Sequence, residues 1–387
     1  MAQGIGTAIL KPTKFCNADC LYCAAPPEVN GAPKWSIDEF KMLFDKLHPY
    51  LSPRGMLLWH GGEPMLMGTD FYWQAWEYAH AIMPELRFSM QSNILSYDGR
   101  RWRELLSGPF TYSVSTSFDP DEKYREYKGS TARYTQIFNK RLEAMLADGF
   151  RPKIIGTYTE ETIPLAMTMY ERALELDKQG NGAFSIRINY RYPAGRDIGQ
   201  GEMLQPRTYG RHLIELYNRW ISDAPSFVVT PLDEMFKKAI GLEAMRCPWT
   251  KSCGGHFLGI EPNFDVYNCS EFADLGEDQY SFGNIKEMSV PELLASRASR
   301  AAQRRRVDVP DDCRTCRHFD ECEGGCMRDA VLYGKGLGGK FHYCASWMMV
   351  FDRIKASIRT GEADVAIRKY GQDPDAVRRS TGLRLAA

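Results

Sequence analysis

The sequence predicts an α/β protein: a parallel sheet built from β/α units, followed by a smaller module that depends on cysteines. Three observations predict it. Apolar runs of strand length alternate with helical patterns from Gly6 to about residue 222, which is how a parallel sheet with crossover helices is written. The eleven cysteines divide into three near the N-terminus and eight between Cys247 and Cys344. The polar and glycine-rich motifs fall where the apolar strands end, the edge at which α/β sites are built.

The elements follow in order. Gly6–Leu10 reads as the first strand and runs into a loop over 11–27. Ser36 and Glu39 have the spacing of a capping box, and Phe40, Leu43, Phe44 and Leu47 then recur at helical spacing. Met56–Trp59 is an apolar strand ending at His60-Gly61-Gly62-Glu63-Pro64, with a helix around Phe71–Ala81. Leu86–Gln91 and Tyr112–Ser117 are strands ending at Ser92-Asn93 and Phe118-Asp119. A helix over Tyr134–Ala147 can be terminated by Gly149. Lys153–Tyr158, Ile163–Lys178 and Phe184–Tyr190 continue the alternation as strand, helix and strand, the last ending at residues 192–196. Six β/α units make a partial (β/α)6 TIM-like barrel, open rather than closed. After Cys344, Ala345–Ile358 reads as a helix, and the Arg- and Ala-rich tail as a loose helix or a disordered segment.

Bulk properties exclude several classes. The chain has 387 residues, and Lys+Arg and Asp+Glu both number 49, so the formal charge is zero. Nothing in that balance calls for nucleic acid or an anionic membrane as partner. The run Arg300–Arg306 reads as a solvated helix face. The N-terminus lacks the layout of a secretory signal, and no apolar run approaches the roughly 18 residues of a membrane helix. A cytoplasmic protein is expected. An odd number of cysteines fits poorly with a disulfide framework.

Cys16, Cys20 and Cys23 stand as C-x-x-x-C-x-x-C, with Tyr22 just before the third. Three thiolates can hold three irons of a four-iron cluster and leave the fourth open, whereas such clusters are ordinarily tied by four cysteines. Zinc or spare buried thiols are the alternatives, although zinc sites favour C-x-x-C pairs with a fourth ligand. CNADCLYC resembles the cluster motif of the radical S-adenosylmethionine (SAM) enzymes. That resemblance implies that SAM chelates the open iron and is cleaved to a 5′-deoxyadenosyl radical. It also implies that Gly61, Gly62, Glu63 and Pro64 form the loop that binds the SAM amine. Asn93 and Ser115 then sit where relatives contact the ribose or carboxylate, Arg125 where many place an arginine near the carboxylate, and Tyr22 beside the cofactor.

The second cysteine group runs Cys247-x5-Cys253-x15-Cys269, then Cys313-x2-Cys316-x5-Cys322-x3-Cys326-x17-Cys344. With GIEPNFDVYNC, FGNIKEMSVPELL and CRTCRHFDECEGGC around it, it resembles the SPASM domain, an auxiliary-cluster module of peptide-modifying radical SAM enzymes. The resemblance assigns Cys247, Cys253, Cys269 and Cys326 to an inner auxiliary cluster and Cys313, Cys316, Cys322 and Cys344 to an outer one. The cofactors expected are three [4Fe-4S] clusters, one SAM-binding and two auxiliary, together with SAM. The domains expected are a radical SAM partial barrel over 1–232, a SPASM domain over 233–350 and a C-terminal helix and tail over 351–387.

The expected function is peptide maturation. A radical SAM oxidoreductase would take hydrogen from a side chain of a ribosomally made peptide, leaving a crosslink (a C–C cyclophane or a thioether) or an oxidised residue. The alternatives are formylglycine-generating oxidation of the anaerobic sulfatase-maturase type, and a small-molecule radical SAM dehydrogenase. Three departures speak against the maturase. Ser270 stands where maturases carry a catalytic aspartate, Ala24-Ala25 where they carry an aromatic pair, and His60 where they often have glutamine. Asp119, His60 and Gln91 are the catalytic candidates, with Tyr190 and Arg191 as further polar groups near the substrate. The partners expected are the peptide and an electron donor such as flavodoxin or ferredoxin. With 15 residues before Cys16 leaving no room for a leader-binding domain, a leader is expected to bind the barrel or SPASM surface or a leader-binding partner protein, unless the substrate is not leader-dependent. A carrier without catalysis is the reading from another class; the GGEP loop argues against it.

Overall fold

The structure is a computed structural model that describes residues 4–24, 33–180, 184–193, 203–244, 247, 253–275, 278–305 and 307–383. The sequence expectations on Ala25, on residues 194–196 and on Arg306 lie outside the described residues. Strands are β1 Ile5–Leu10, β2 Leu51–Trp59, β3 Arg87–Gln91, β4 Val114–Ser117, β5 Lys153–Tyr158, β6 Ile186–Tyr190, β7 Val229–Thr230, β8 Phe257–Ile260, β9 Asp265–Tyr267 and β10 Gly283–Asn284. The helices between them are α1 Ile37–Leu47, α2 Thr69–Ile82, α3 Gly99–Ser107, α4 Thr131–Ala147, α5 Leu165–Lys178, α6 Pro206–Asp223 and α7 Leu232–Ala239. The expected alternation is present, with one helix, α3, that the apolar pattern did not announce.

The chain packs into two compact units, each drawn from separated stretches: 1–155, 192–201 and 254–305 in the first, and 156–191, 202–253 and 306–387 in the second. In the first unit, β1 pairs in parallel with both β2 and β8, β2 with β3, β3 with β4, and β4 with the start of β5. β8 continues into an antiparallel hairpin with β9, and β10 adds to it. The sheet stays open. The cysteine-rich region thus extends the parallel sheet on the free side of β1, which the sequence reading had placed in a separate module.

The capping box forms as expected: Ser36 Oγ accepts from the Glu39 N–H and Glu39 returns the bond to the Ser36 N–H. α1 buries Phe40, Leu43, Phe44 and Leu47. Trp59, at the end of β2, is fully buried among Phe40, Phe71, Tyr72 and Phe88, with ring centroids 5.1–5.7 Å away. Each such side chain contributes roughly 1.5–3 kcal/mol on leaving water. This packing holds the end of β2, and so the loop after it, in a fixed place.

In the second unit β6 pairs in parallel with β7. α6 packs on the helix Cys344–Thr360, where Tyr217 and Ser357 share a hydrogen bond of 2.6 Å and Arg353 Nε donates to Asn218 Oδ1 at 2.7 Å. The tail corrects its expectation. It forms two further helices, Asp364–Lys369 and Pro374–Thr381, because Arg378 is buried and pairs with both Asp364 and Asp375. No helix among the described residues is long and apolar enough to cross a membrane.

Candidate active site

In the first unit, β1 to β4 are parallel neighbours, so the segments after them gather along one edge: the cysteine loop, then 60–64, then Ser92-Asn93, then Phe118-Asp119. The sequence placed the candidates at strand ends, and the register brings those ends together.

Glu63 is 1% exposed. Its Oε1 accepts from Ser92 Oγ at 2.7 Å and the Met65 N–H at 2.8 Å, and its Oε2 from the Asn93 N–H at 2.7 Å. Burial pushes its pKa up to about 7, against the three donors that favour the anion. A buried carboxylate with this many donors is a ready partner for a positive group. Gly61 has φ +118°, and a side chain on Gly62 would meet the Phe15 carbonyl at 2.3 Å. The two glycines therefore serve close approach to the cysteine loop itself. The Gly62 and Glu63 N–H groups donate to the Thr13 and Phe15 carbonyls at 2.9 and 2.8 Å.

The cysteine loop is tied down on its other side as well. The Asp19 and Leu21 N–H groups donate to the Glu126 and Tyr124 carbonyls. Asn93 Nδ2 reaches Asn17 Oδ1 at 2.7 Å and Cys16 Sγ at 3.7 Å, and the Ala18 N–H reaches Cys16 Sγ at 3.4 Å. Asp119, 4% exposed, accepts from Arg125 Nε at 2.7 Å and from the Tyr22 hydroxyl. Arg125 also lies over the Tyr22 ring and brings Nη1 to 3.9 Å from Cys20 Sγ. Burial, with Glu63 adding, pushes the Cys16 thiol up, and burial does the same for Cys20 against the pull of Arg125. Such thiols become ligands once a metal displaces their protons.

His60 Nδ1 accepts from the Gly61 N–H at 2.8 Å. Burial and the charge of Lys11 lower its pKa, so the ring is neutral and its proton sits on Nε2. Gln91 donates to Ser117 Oγ at 3.0 Å and accepts from the Ser115 hydroxyl. In the second unit, the Tyr190 hydroxyl donates to Asp329, and the buried Arg191 donates its N–H to the Tyr158 carbonyl at 2.8 Å.

One charged cluster went unseen in the sequence. Lys11, 1% exposed, pairs with Glu261 and Asp274, both at 2.8 Å, and donates to the Ser270 carbonyl at 3.3 Å. Lys11, His60 and Glu261 each follow the last residue of β1, β2 and β8. The available signal was a lysine directly after an apolar strand; its partners lie some 250 positions on and carry no local mark.

Cys313, Cys316, Cys322 and Cys344 line one cavity of about 380 Å³ together with Lys340, Phe341 and Trp347. No disulfide joins the described cysteines, and among the described residues no three His, Cys, Asp or Glu side chains converge on a single-ion site. Four thiols around a cavity is the donor set of a polynuclear iron–sulfur group. Three thiols beside a buried carboxylate, with N–H donors on Cys16 and a guanidinium on Cys20, fit a cluster with one open iron. The residues at these two places thus fit two of the expected groups, the SAM-binding cluster and one auxiliary cluster.

Comparisons with known proteins bear on the same parts. Residues 247–317 match the SPASM family, an iron–sulfur cluster-binding domain. Over 375 residues the chain is 22% identical to the serine-type anaerobic sulfatase-maturating enzyme of Bacteroides thetaiotaomicron, covering 89% of this chain and 88% of that protein. It is likewise 22% identical to the cysteine-type enzyme of Clostridium perfringens over 362 residues, with 89% and 95% covered. Among solved structures, histidine-tagged anSMEcpe with bound AdoMet superposes with a TM-score of 0.77 at 18% identity, over 97% of this chain and 98% of the other. Streptococcus suis SuiB bound to S-adenosylmethionine gives 0.60 at 13%, over 87% and 76%. Residues 247–317 thus carry a SPASM iron–sulfur cluster-binding domain, and along nearly its whole length the chain is similar to the sulfatase-maturating enzymes and shares the fold of anSMEcpe.

Proposed function

We propose that the chain oxidises a side chain of a peptide or protein substrate, and that formylglycine-type oxidation of a Ser or Cys side chain is the reaction it supports best. The observation that carries this reading is similarity along nearly the whole length to both serine-type and cysteine-type sulfatase-maturating enzymes. In this reading residues 1–232 are the radical SAM domain, 233–350 the SPASM domain and 351–387 a C-terminal extension. Cys16, Cys20 and Cys23 hold the SAM cluster. Cys247, Cys253, Cys269 and Cys326 hold the inner auxiliary cluster, and the four cavity cysteines the outer one.

When bound, these groups supply a 5′-deoxyadenosyl radical to take one hydrogen atom and an acceptor for the electron that follows. The chain's own residues do the rest. Glu63 receives the SAM amine, and Gly61, Gly62 and Pro64 set the loop that presents it. Asn93 joins that carboxylate to Asn17 and the Cys16 side of the loop. Ser115 is positioned by Gln91. Arg125 and Tyr22, gathered on Asp119, fix the cysteine loop and give the Cys20 thiolate a cationic neighbour. Holding the reacting carbon against one hydrogen and keeping water out is the protein's contribution to the rate. The second hydrogen of the oxidised side chain leaves as a proton to a base, for which the Asp119 carboxylate is the candidate. His60, whose Nδ1 already accepts a bond, offers only its Nε2–H as a hydrogen-bond donor, and Gln91 orients without taking a proton.

Crosslinking of a ribosomally made peptide is a second reading. Ser270 favours it, because its buried side chain brings no carboxylate to that position. An electron donor such as flavodoxin or ferredoxin, and a leader-binding partner in the crosslinking case, complete the scheme. The test is anaerobic: reconstitute, reduce in SAM, and offer a sulfatase-derived peptide carrying Ser or Cys. Formylglycine in the peptide, with 5′-deoxyadenosine in step, is the expected result. 5′-Deoxyadenosine without peptide aldehyde would move the assignment to crosslinking, and no nucleoside at all would end the radical reading.

A further inference from the structure

Cys326 is the N-cap residue of the short helix Met327–Leu332, and Asp329, in the first turn of that helix, presents its backbone N–H toward the Cys326 sulfur. The Asp329 side chain is fully buried. Arg328 Nη1 stands 3.0 Å from its Oδ1, and the Tyr190 hydroxyl donates to its Oδ2. The Tyr190 ring in turn stacks on Tyr343, centroid to centroid 3.7 Å, one residue before Cys344. No motif in the sequence pointed to Arg328 or Asp329. A fully buried carboxylate carries a large desolvation cost that pairing only partly offsets. Its position, on the residue whose N–H faces a ligand sulfur, suggests what the charge does.

We propose that Asp329 is a positioning residue that sets the reduction potential of the iron–sulfur group bound through Cys326, with Arg328 as its counter-charge and Tyr190 as the clamp on its carboxylate. This rests on the assignment of Cys326 as a cluster ligand under Proposed function. Cluster potentials respond to local charge, hydrogen bonds to the sulfurs and solvent exposure, and Asp329 bears on all three: a buried negative charge, an N–H toward the sulfur, and a dry surrounding in which charge acts strongly. A negative charge disfavours an added electron, so Asp329 lowers the potential and Arg328 raises it. The Tyr190 hydrogen bond disperses the carboxylate charge and weakens its effect.

The experiment is an EPR-monitored redox titration of the reconstituted full chain, where the relevant signal is the one missing in Cys326→Ser. Asp329→Asn should raise the reduced-to-oxidised ratio at fixed solution potential about tenfold, which is ~59 mV for one electron. Arg328→Met should shift it the opposite way, and iron content should hold in both. Shifts of the same sign, no shift, or loss of that iron from both variants would mean a purely structural pair and overturn the proposal. If Asp329→Asn alone fails to hold iron, Tyr190→Phe decides: a lower potential supports the proposal and an unchanged one refutes it. A wild-type chain with no signal sensitive to Cys326→Ser would strike instead at the ligand assignment.

Discussion

At the scale of single residues, Glu63 and Asp119 are two buried carboxylates in different electrostatic surroundings. Glu63 is met by neutral donors, and its pKa is pushed up to about 7 by burial. Protonation below that value removes the charge that would meet an amine. SAM affinity should therefore fall as pH drops through 7, approaching tenfold per unit, in calorimetric titrations at pH 6 and 8. Glu63→Gln should weaken binding at pH 8 by about 1.5–3 kcal/mol, the range for a hydrogen bond to a charged group, and should flatten the pH profile. The sign for stability is opposite. The folded pKa lies above the ordinary 4.5, so without ligand the group favours unfolding increasingly from about pH 4.5 to 7. Asp119 already holds the Arg125 cation and the Tyr22 hydroxyl. If that anchoring is its work, Asp119→Asn should lower both the iron on the first cluster and 5′-deoxyadenosine formation. A catalytic base would instead leave both intact and lose only the peptide product; iron analysis and nucleoside assay on one sample separate the two.

Among elements, what the sequence made legible follows from how far apart the cooperating residues lie. α1 could be read from Ser36, Glu39 and a period of apolar residues, because everything that specifies it lies within twelve positions. The GGEP loop could be read as a ligand site, but the reason for its glycines could not: they make room for the Thr13–Phe15 backbone, which only the β1–β2 register brings near. The stretch GIEPNFDVYNC gives no sign that β8 is a parallel neighbour of β1, since parallel pairing across some 250 residues leaves no local trace. The Lys11 cluster is the energetic form of the same miss. Burial alone would lower the Lys11 pKa, yet Asp274 and Glu261 hold it well above the ordinary value. Lys11→Met would leave two buried carboxylates without their cation, a loss of about 3–5 kcal/mol. The denaturant midpoint of the reconstituted protein should fall accordingly, and Glu261→Gln combined with Asp274→Asn in the Lys11→Met background should recover part of it.

For the whole molecule, cysteines take the place of part of the core. The helix Cys344–Thr360 begins on a cavity cysteine and packs along α6, so the outer thiols and the apolar packing of the second unit share one element. Metal binding to such a set is folding free energy, because the unfolded chain offers no preformed site. Cys344→Ser should therefore cost more than its own ligand bond. Roughly four irons should be lost, and the second unit should become the first part of the chain to exchange its amide hydrogens, starting with the helix after Cys344. Replacing Cys16, Cys20 and Cys23 by Ala should remove a similar amount of iron and abolish SAM cleavage, yet leave the amides of the second unit protected. The contrast is informative because the two variants lose comparable metal. Equal loss of protection would mean that the clusters stabilise the chain in common. A loss confined to Cys344→Ser would mean that the first cluster is held by a scaffold already folded around Trp59 and Glu63, while the outer one helps to build its own.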